Sequence, residues 1–510
     1  MKRFGSHTWM GADEAATGDG AHGSRRGCIV PAVDPHPTAT TAPTLRRIDE
    51  LPGPRGLPLL GNLLQVDRSR IHRHVEQWCR EYGAFFRFRL ARAQIFVVAD
   101  HEAFAAVLRD RPDGFRRGSY LQQVSREMGL TPGLFGAEGE SWRRQRRMVM
   151  AGLDPGRVRA YVPALLEVTG RLHRRWQRAA REHRAVDLQA DLMRFTVDTV
   201  TGLAFGADVN TLESDDDVIQ RHLDKIFPAL FERVMSPLPT WRWFKLPADR
   251  RLDRSVAAVN AAIRDFIAQA RERMQRDPGL REQPRNLLEA MIAVADEGSS
   301  GIDDSQVAGN VLTMLLAGED TTANTLAWMI HLLHRHPAAL QRATDEVRRI
   351  APDPAAFGTE QMAALDYVEA CIHETMRLKP VAPFMVLEAL RDTRVADIHV
   401  PAGTLVWGVM RHDSVDERHF ADAAAFEPQR WLGDGAAPSS AKRVSMPFGA
   451  GPRACPGRYL ALLEMKMAMA MLLGRFEIES VDAPGGAEAE ERMSFTMVPV
   501  GLRMRLRERA

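Results

Sequence analysis

The sequence predicts a mainly α-helical fold with a small β region. Helical apolar periodicity dominates from about Glu102 to Leu378, strand-like runs are short and sit near both ends of the folded part, and no internal repeat divides the chain. The 510 residues are 45% hydrophobic and 26% charged, which is enough apolar content for a large core. Length alone would allow about three domains, but the strands at both ends point to a single domain.

The elements follow in chain order. The first fifty residues are rich in Gly, Ala, Thr and Pro and read as a disordered tail, 1–50, ahead of a folded domain, 51–510. Lys2 and Arg3 are not followed by the apolar core of a signal peptide. Arg25 and Arg26 resemble a twin-arginine pair, but the apolar run from Cys28 to Val33 is too short to complete it. No run reaches the ~18 apolar residues of a membrane span, so a soluble, cytoplasmic protein without an anchor is expected. The stretch LPGPRGLPLLGN, Leu51 to Asn62, is a stiff entry into the fold, and strands are expected at Phe85–Leu90 and Gln94–Val98.

The clearest helix runs from Asp303 to His334, with Ser305 as its cap and Val307, Val311, Leu312, Leu315 and Leu316 on its apolar face. After Pro380 strands are expected at Phe384–Leu390 and Thr404–Met410. An irregular segment then leads to Phe448, followed by a helix at Tyr459–Leu473 and a hairpin strand within Ser494–Leu506.

Charge and cysteine usage exclude several functions. A net charge of +2 gives no reason to expect a nucleic-acid partner. The four cysteines, Cys28, Cys79, Cys371 and Cys455, form no CxxC pair, so neither a disulfide framework nor a structural zinc site is indicated.

Cys455 lies in FGAGPRACPG, Phe448 to Gly457, just before an apolar helix. A thiolate is a strong ligand for a soft or borderline metal, and the N-terminal end of that helix favours negative charge on the sulfur. Gly449 and Gly451 let the backbone turn tightly against a flat ligand, and Arg453 is able to pair with a carboxylate on it. The bland alternative is an inert cysteine in a turn.

The pattern FxxGxRxCxG, carried by Phe448, Gly451, Arg453, Cys455 and Gly457, resembles the haem-binding signature of the cytochrome P450 family. The resemblance implies that Cys455 is the axial thiolate of haem b. It also implies that Phe448 and Gly449 lie near the haem and that Arg453 meets a propionate.

Further stretches resemble other motifs of the family. AGEDTT, Ala317 to Thr322, is similar to its oxygen-activation motif. There Thr321 would steady the activated oxygen and its water, and Asp320 would relay protons, with Glu319 as a second acid. A Gly beside paired Thr residues is also expected to open the helix locally. ETMR, Glu374 to Arg377, is similar to the family's ExxR, and FEPQRW supplies Arg430, so that Glu374, Arg377 and Arg430 form a structural charge network. WRRQR places Trp142 and Arg146 on one helix face, as in the family's WxxxR, where both hold a propionate. Arg143, Arg144 and Arg147 are left for a basic face toward an acidic donor. One departure is that Glu388 stands near the place where many members carry a propionate-binding arginine.

The implied function is a haem-thiolate monooxygenase of soluble bacterial type that uses O2. Electrons are expected from a separate ferredoxin or flavodoxin with its NAD(P)H-dependent reductase, because the chain ends soon after the haem domain. Leu134, Phe135, Ala317, Ala382, Phe384, Met385 and Met497 are the expected substrate contacts, and their apolar character implies a lipophilic substrate such as a fatty acid, terpenoid, steroid or polyketide. A peroxygenase or isomerase that needs no external electrons is the enzymatic alternative, and a non-catalytic haem carrier or sensor is the other.

Overall fold

A computed structural model of the chain describes residues 45–214, 219–353, 357–433, 436–486 and 488–509. It is mainly helical with small sheets. Residues 1–44 of the expected tail lie outside the described residues. The last part of that span is ordered: Arg46–Arg47 pairs in parallel with Ile398 and His399, and Ile48 is buried beside Leu51. The folded part therefore begins ahead of Leu51.

The helix Asp304–Arg335 organises the domain. Asp303 caps it, accepting the Gln306 N–H at 2.8 Å while the Gln306 side chain accepts the Asp303 N–H at 3.1 Å. This reciprocal pair satisfies two otherwise unpaired donors, and Ser305, the expected cap, lies inside the first turn. The N-terminal half buries Val307, Val311, Leu312, Leu315 and Leu316 in one core, and the C-terminal half buries Leu326, Trp328, Met329 and Leu333 in another. The polar stretch Glu319 to Thr322 falls at the seam between the two cores.

That seam does not open the helix. It stays α-helical throughout, with the Thr321 hydroxyl bonded back to the Ala317 carbonyl at 2.7 Å and the Thr325 hydroxyl to that of Thr321 at 2.8 Å. Gly318 serves packing instead: a Cβ there would lie 2.6 Å from a Val200 methyl of the neighbouring helix Leu188–Phe205.

The largest sheet has five strands, in the order Phe85–Leu90, Ala93–Val98, Leu405–Val409, Phe384–Ala389 and Phe115–Arg117. All neighbours are antiparallel except Ala93–Val98 with Leu405–Val409, where Phe96 faces Val406. Strands separated by hundreds of residues thus close into one sheet. The helix after the cysteine loop is Arg458–Arg475. Downstream, the expected single hairpin strand divides in two. Glu491–Met493 pairs with Met497–Pro499 as a hairpin, and Arg503–Glu508 returns to pair with Phe476–Asp482.

Candidate active site

The cysteine loop is shaped by two glycines in the left-handed region, Gly449 at φ 71° and Gly451 at φ 70°. Gly451 also passes so close to the helix His101–Arg109 that a Cβ would lie 2.5 Å from the Leu108 carbonyl oxygen, so a larger residue does not fit. The loop closes on itself where the Cys455 N–H donates to the Phe448 carbonyl at 2.9 Å. Phe448 packs against the main core.

The thiol of Cys455 is open to solvent on one side and crowded by protein on the others. Burial raises its pKa, while the backbone N–H groups of Gly457 and Arg458 and the charges of Arg146 and Arg458 pull it back. The other described cysteines, Cys79 and Cys371, are buried, and burial pushes their thiols up. Cys455 is thus the one described cysteine with both access and thiolate-stabilising partners.

Trp142 and Arg146 come from the helix Gly139–Gly152. The Arg453 guanidinium lies 5.1 Å over the Trp142 ring, donates to the carbonyls of Leu134 at 3.2 Å and Ala137 at 2.5 Å, and is ion-paired with Glu138. Two further arginines share this space. Burial and the charge of Arg453 bring Arg111 down to about 10, and Arg117 is pushed well below the usual arginine range by burial and then by Arg111 and Arg453. Two nitrogens of Arg111, Nε and Nη2, are buried without a hydrogen-bond partner.

Three guanidinium groups therefore crowd a single carboxylate, Glu138. Buried charge requires compensation. The deficit fits a ligand that brings two carboxylates, as haem does. Glu388 does not contribute, because Arg116 engages its carboxylate at 2.5 Å and the Ser119 N–H at 2.8 Å. Of the basic face expected beyond Arg146, Arg143 is already paired with Asp113 and Glu140.

Beside the long helix lies a cavity of about 360 Å³. Ala317 and Thr321 face it from the helix, Phe135 from the loop before Trp142, Phe227 from the helix Gln220–Met235, and Phe495 and Thr496 from the tip of the hairpin. The three phenylalanines form one aromatic wall. Phe495 stacks on Phe227 with centroids 4.4 Å apart and meets Phe135 at 6.0 Å, and the Arg117 guanidinium covers the Phe135 ring at 3.4 Å. Phe495 holds φ at 93°. A large non-glycine residue there stores strain of about 1–3 kcal/mol that the surrounding structure must hold.

The acids of the seam separate. Glu319 is buried away from the cavity and accepts the Gln220 amide at 2.5 Å, and burial, with Asp224 and Asp320 nearby, pushes its carboxyl well above the ordinary range. Asp320 accepts the Thr496 hydroxyl on Oδ2 and the Asn324 amide at 2.8 Å on Oδ1, and burial raises it to about 6.

Of the expected substrate contacts, Phe135 and Ala317 line the cavity. The other five lie elsewhere. Met497 is fully buried with its sulfur 3.6 Å from Arg411, because two residues along the hairpin the chain has returned to the core. Phe384 stacks flat on Trp407 at 4.9 Å, Met385 packs in the sheet core with its sulfur on Arg111, Ala382 is exposed at a turn, and Leu134 is buried in the core.

On the helix that ends at Leu378, Arg377 grips Glu374 with Nε at 2.8 Å and Nη2 at 2.7 Å, and neither side chain has any exposure. Arg430 adds a bond at 3.0 Å, and the Trp431 indole adds another at 2.8 Å. Arg377 also donates to the carbonyls of Ser414, Ala423 and Ala425, tying the irregular segment to the helix Asp366–Leu378. Burial pushes Glu374 up, but Arg377 and the donors outweigh it and hold its carboxyl below the ordinary range.

A helical domain that presents an open thiol on a glycine loop, next to an uncompensated arginine cluster and an apolar cavity, has the layout of a haem-thiolate enzyme. The comparisons agree. The family model described as Cytochrome P450 matches residues 51–505, and the chain belongs to that family. The cyclooctat-9-en-7-ol 5-monooxygenase of Streptomyces melanosporofaciens is 28% identical over 447 residues, covering 87% of this chain and 93% of the relative. The carotene epsilon-monooxygenase of Arabidopsis thaliana is 29% identical over 433 residues, 79% and 76% of the two chains. The mitochondrial 25-hydroxyvitamin D-1 alpha hydroxylase of Rattus norvegicus is 27% identical over 473 residues, 89% and 93%. The chain is a cytochrome P450 monooxygenase, an oxidoreductase whose cofactor is thiolate-ligated haem. Among the described residues no helix is long and apolar enough to cross a membrane.

Proposed function

We propose that the Cys455 thiolate would ligate the haem iron and that Trp142, Arg146 and Arg453, joined by Arg111 and Arg117, would hold its propionates, with Phe448 and Gly449 beside the macrocycle. When bound, haem supplies reductive activation of O2: a C–H bond of the substrate becomes C–OH, the second oxygen atom leaves as water, and two electrons and two protons are consumed. The remaining work belongs to side chains. Thr321 presents its hydroxyl to the cavity and orients the water from which a proton is drawn, and Asp320 next to it refills that proton from the protein side. Glu374, Arg377 and Arg430 keep the cysteine loop in register.

The substrate in this reading is a lipophilic small molecule. The observation that carries it is the aromatic wall of Phe135, Phe227 and Phe495 facing Ala317 and Thr321. Relatives named for a carotene and for cyclooctat-9-en-7-ol are in keeping with a hydrocarbon-rich substrate. Electrons come from a separate ferredoxin or flavodoxin with its NAD(P)H-dependent reductase, in a soluble enzyme of bacterial type. The donor approaches the thiolate side, where Arg458 and Arg147 are exposed.

The test compares turnover of a lipophilic panel driven by NAD(P)H with surrogate ferredoxin and by hydrogen peroxide. Product formed with NAD(P)H, whose reducing equivalents Thr321→Ala diverts from product to hydrogen peroxide, supports the reading. Product from peroxide alone would instead identify a peroxygenase.

A further inference from the structure

Thr496 occupies a place that the motifs of the sequence do not single out. It sits in the loop Ser494–Thr496 of the hairpin, is nearly buried, lines the cavity, and gives its one hydroxyl hydrogen to Oδ2 of Asp320. The other carboxylate oxygen is taken by Asn324, whose amide is oriented by Gln189 donating to its Oδ1 at 3.0 Å. Both oxygens of Asp320 are therefore held by donors, one from its own helix and one from the wall of the cavity.

The wall itself is fixed at its base. Glu491 at the start of the hairpin is bound by Arg411 at 2.8 and 2.9 Å, by Lys379 at 2.7 Å and by His72 at 3.1 Å, and the Met497 N–H donates to the Val381 carbonyl at 2.8 Å. Only the tip, with strained Phe495 stacked on Phe227, faces the space a substrate would enter.

We propose that Thr496 is a positioning residue for Asp320, holding the proton-relay acid from the wall of the substrate cavity so that the state of that wall governs the acid. The proposal rests on the reading of Asp320 as the relay acid. A hydroxyl donor stabilises the charged form of a carboxyl group, so its loss favours the protonated form. The titratable groups that bear on Asp320 are Asp224, on the helix Gln220–Met235, and Glu319, beside it on its own helix; both are acids, and the charge of Asp224 raises Asp320 where the Thr496 hydroxyl lowers it.

The test uses the haem-loaded full chain at rest. The carboxyl stretch of Asp320, assigned by its loss in Asp320→Asn, is followed against pH by infrared difference spectroscopy. Thr496→Val should raise the titration midpoint by about one pH unit, and Thr496→Ser should restore it. If the valine variant is unstable, Thr496→Ala serves the same purpose. An unmoved midpoint in a folded variant lacking the hydroxyl would overturn the proposal. The underlying reading is checked separately by NAD(P)H-driven oxygen consumption with surrogate ferredoxin and ferredoxin reductase. If Asp320→Asn leaves its rate and solvent isotope effect unchanged, Asp320 is not the relay acid, whatever the infrared midpoint does.

Discussion

Arg377 and Glu374 face each other one helical turn apart with two hydrogen bonds, 2.8 and 2.7 Å, and no solvent contact for either side chain. Removing one partner leaves the other charge buried and unpaired, at a cost of about 3–5 kcal/mol. Glu374→Ala should therefore yield protein that fails to retain haem and unfolds at far lower denaturant. Recovery of a fully loaded, equally stable variant in urea titrations would contradict the network's structural role.

The same pair fixes a pH dependence. The folded-state pKa of Glu374 is below its ordinary value of 4.5. Its contribution is thus fully present above that value and is lost as pH falls through the lower, folded pKa. Wild-type protein should lose stability steeply below about pH 4.5. In Glu374→Gln that part of the slope should be absent, as equilibrium unfolding measured across pH would reveal.

Arg111 carries unpaired buried nitrogens in a cluster with too little negative charge. Arg111→Leu should relieve repulsion in the apoprotein while weakening the hold on haem. A hydrogen bond to a charged group is worth about 1.5–3 kcal/mol, so haem transfer to a scavenger protein should be at least roughly tenfold faster. Apoprotein melting should hold or rise. A variant with lowered apoprotein stability and unchanged haem loss would assign Arg111 to the fold alone.

Gly318 meets Val200 across the helix pair, with a hypothetical Cβ only 2.6 Å from the valine methyl. Alanine favours helices over glycine by about 1 kcal/mol, yet overpacking costs about 1–3 kcal/mol. Gly318→Ala should therefore destabilise, and adding Val200→Ala should recover part of the loss. Additive effects in the double-mutant cycle would remove this contact as the reason for the glycine.

Phe495 shapes the cavity by its stack on Phe227. Phe495→Gly should relax the strained backbone and open the wall. Spin-state titrations with a size series of lipophilic ligands should then shift preference toward larger ones. An unchanged preference would place substrate elsewhere.

Much of this was legible in the sequence because chemistry and local pattern coincide there. Cys455 in its glycine loop, Thr321 on the long helix, and Glu374 with Arg377 each lie in short motifs whose spacing is their geometry. Arg111, Arg117 and Glu138 escaped because they converge from a turn, a strand end and a loop, with no shared period. Phe495 and Thr496 escaped by two residues and one: the chain near Met497 was expected at the cavity, but a hairpin loop and its returning strand face opposite ways. Asp303 outdid Ser305 as the cap because Gln306 completes the reciprocal pair only from that position. The helix at Gly318 was expected to open, but it stays α-helical, with the glycine packed closely against Val200 of the neighbouring helix.

The central claim, that Cys455 is a haem thiolate, is tested most directly by the absorption spectrum of the dithionite-reduced protein under carbon monoxide. The account predicts a strongly red-shifted Soret band that Cys455→Ser abolishes while haem remains bound in the arginine cluster. A band typical of histidine ligation in the wild type, or a red-shifted band that survives Cys455→Ser, would contradict it.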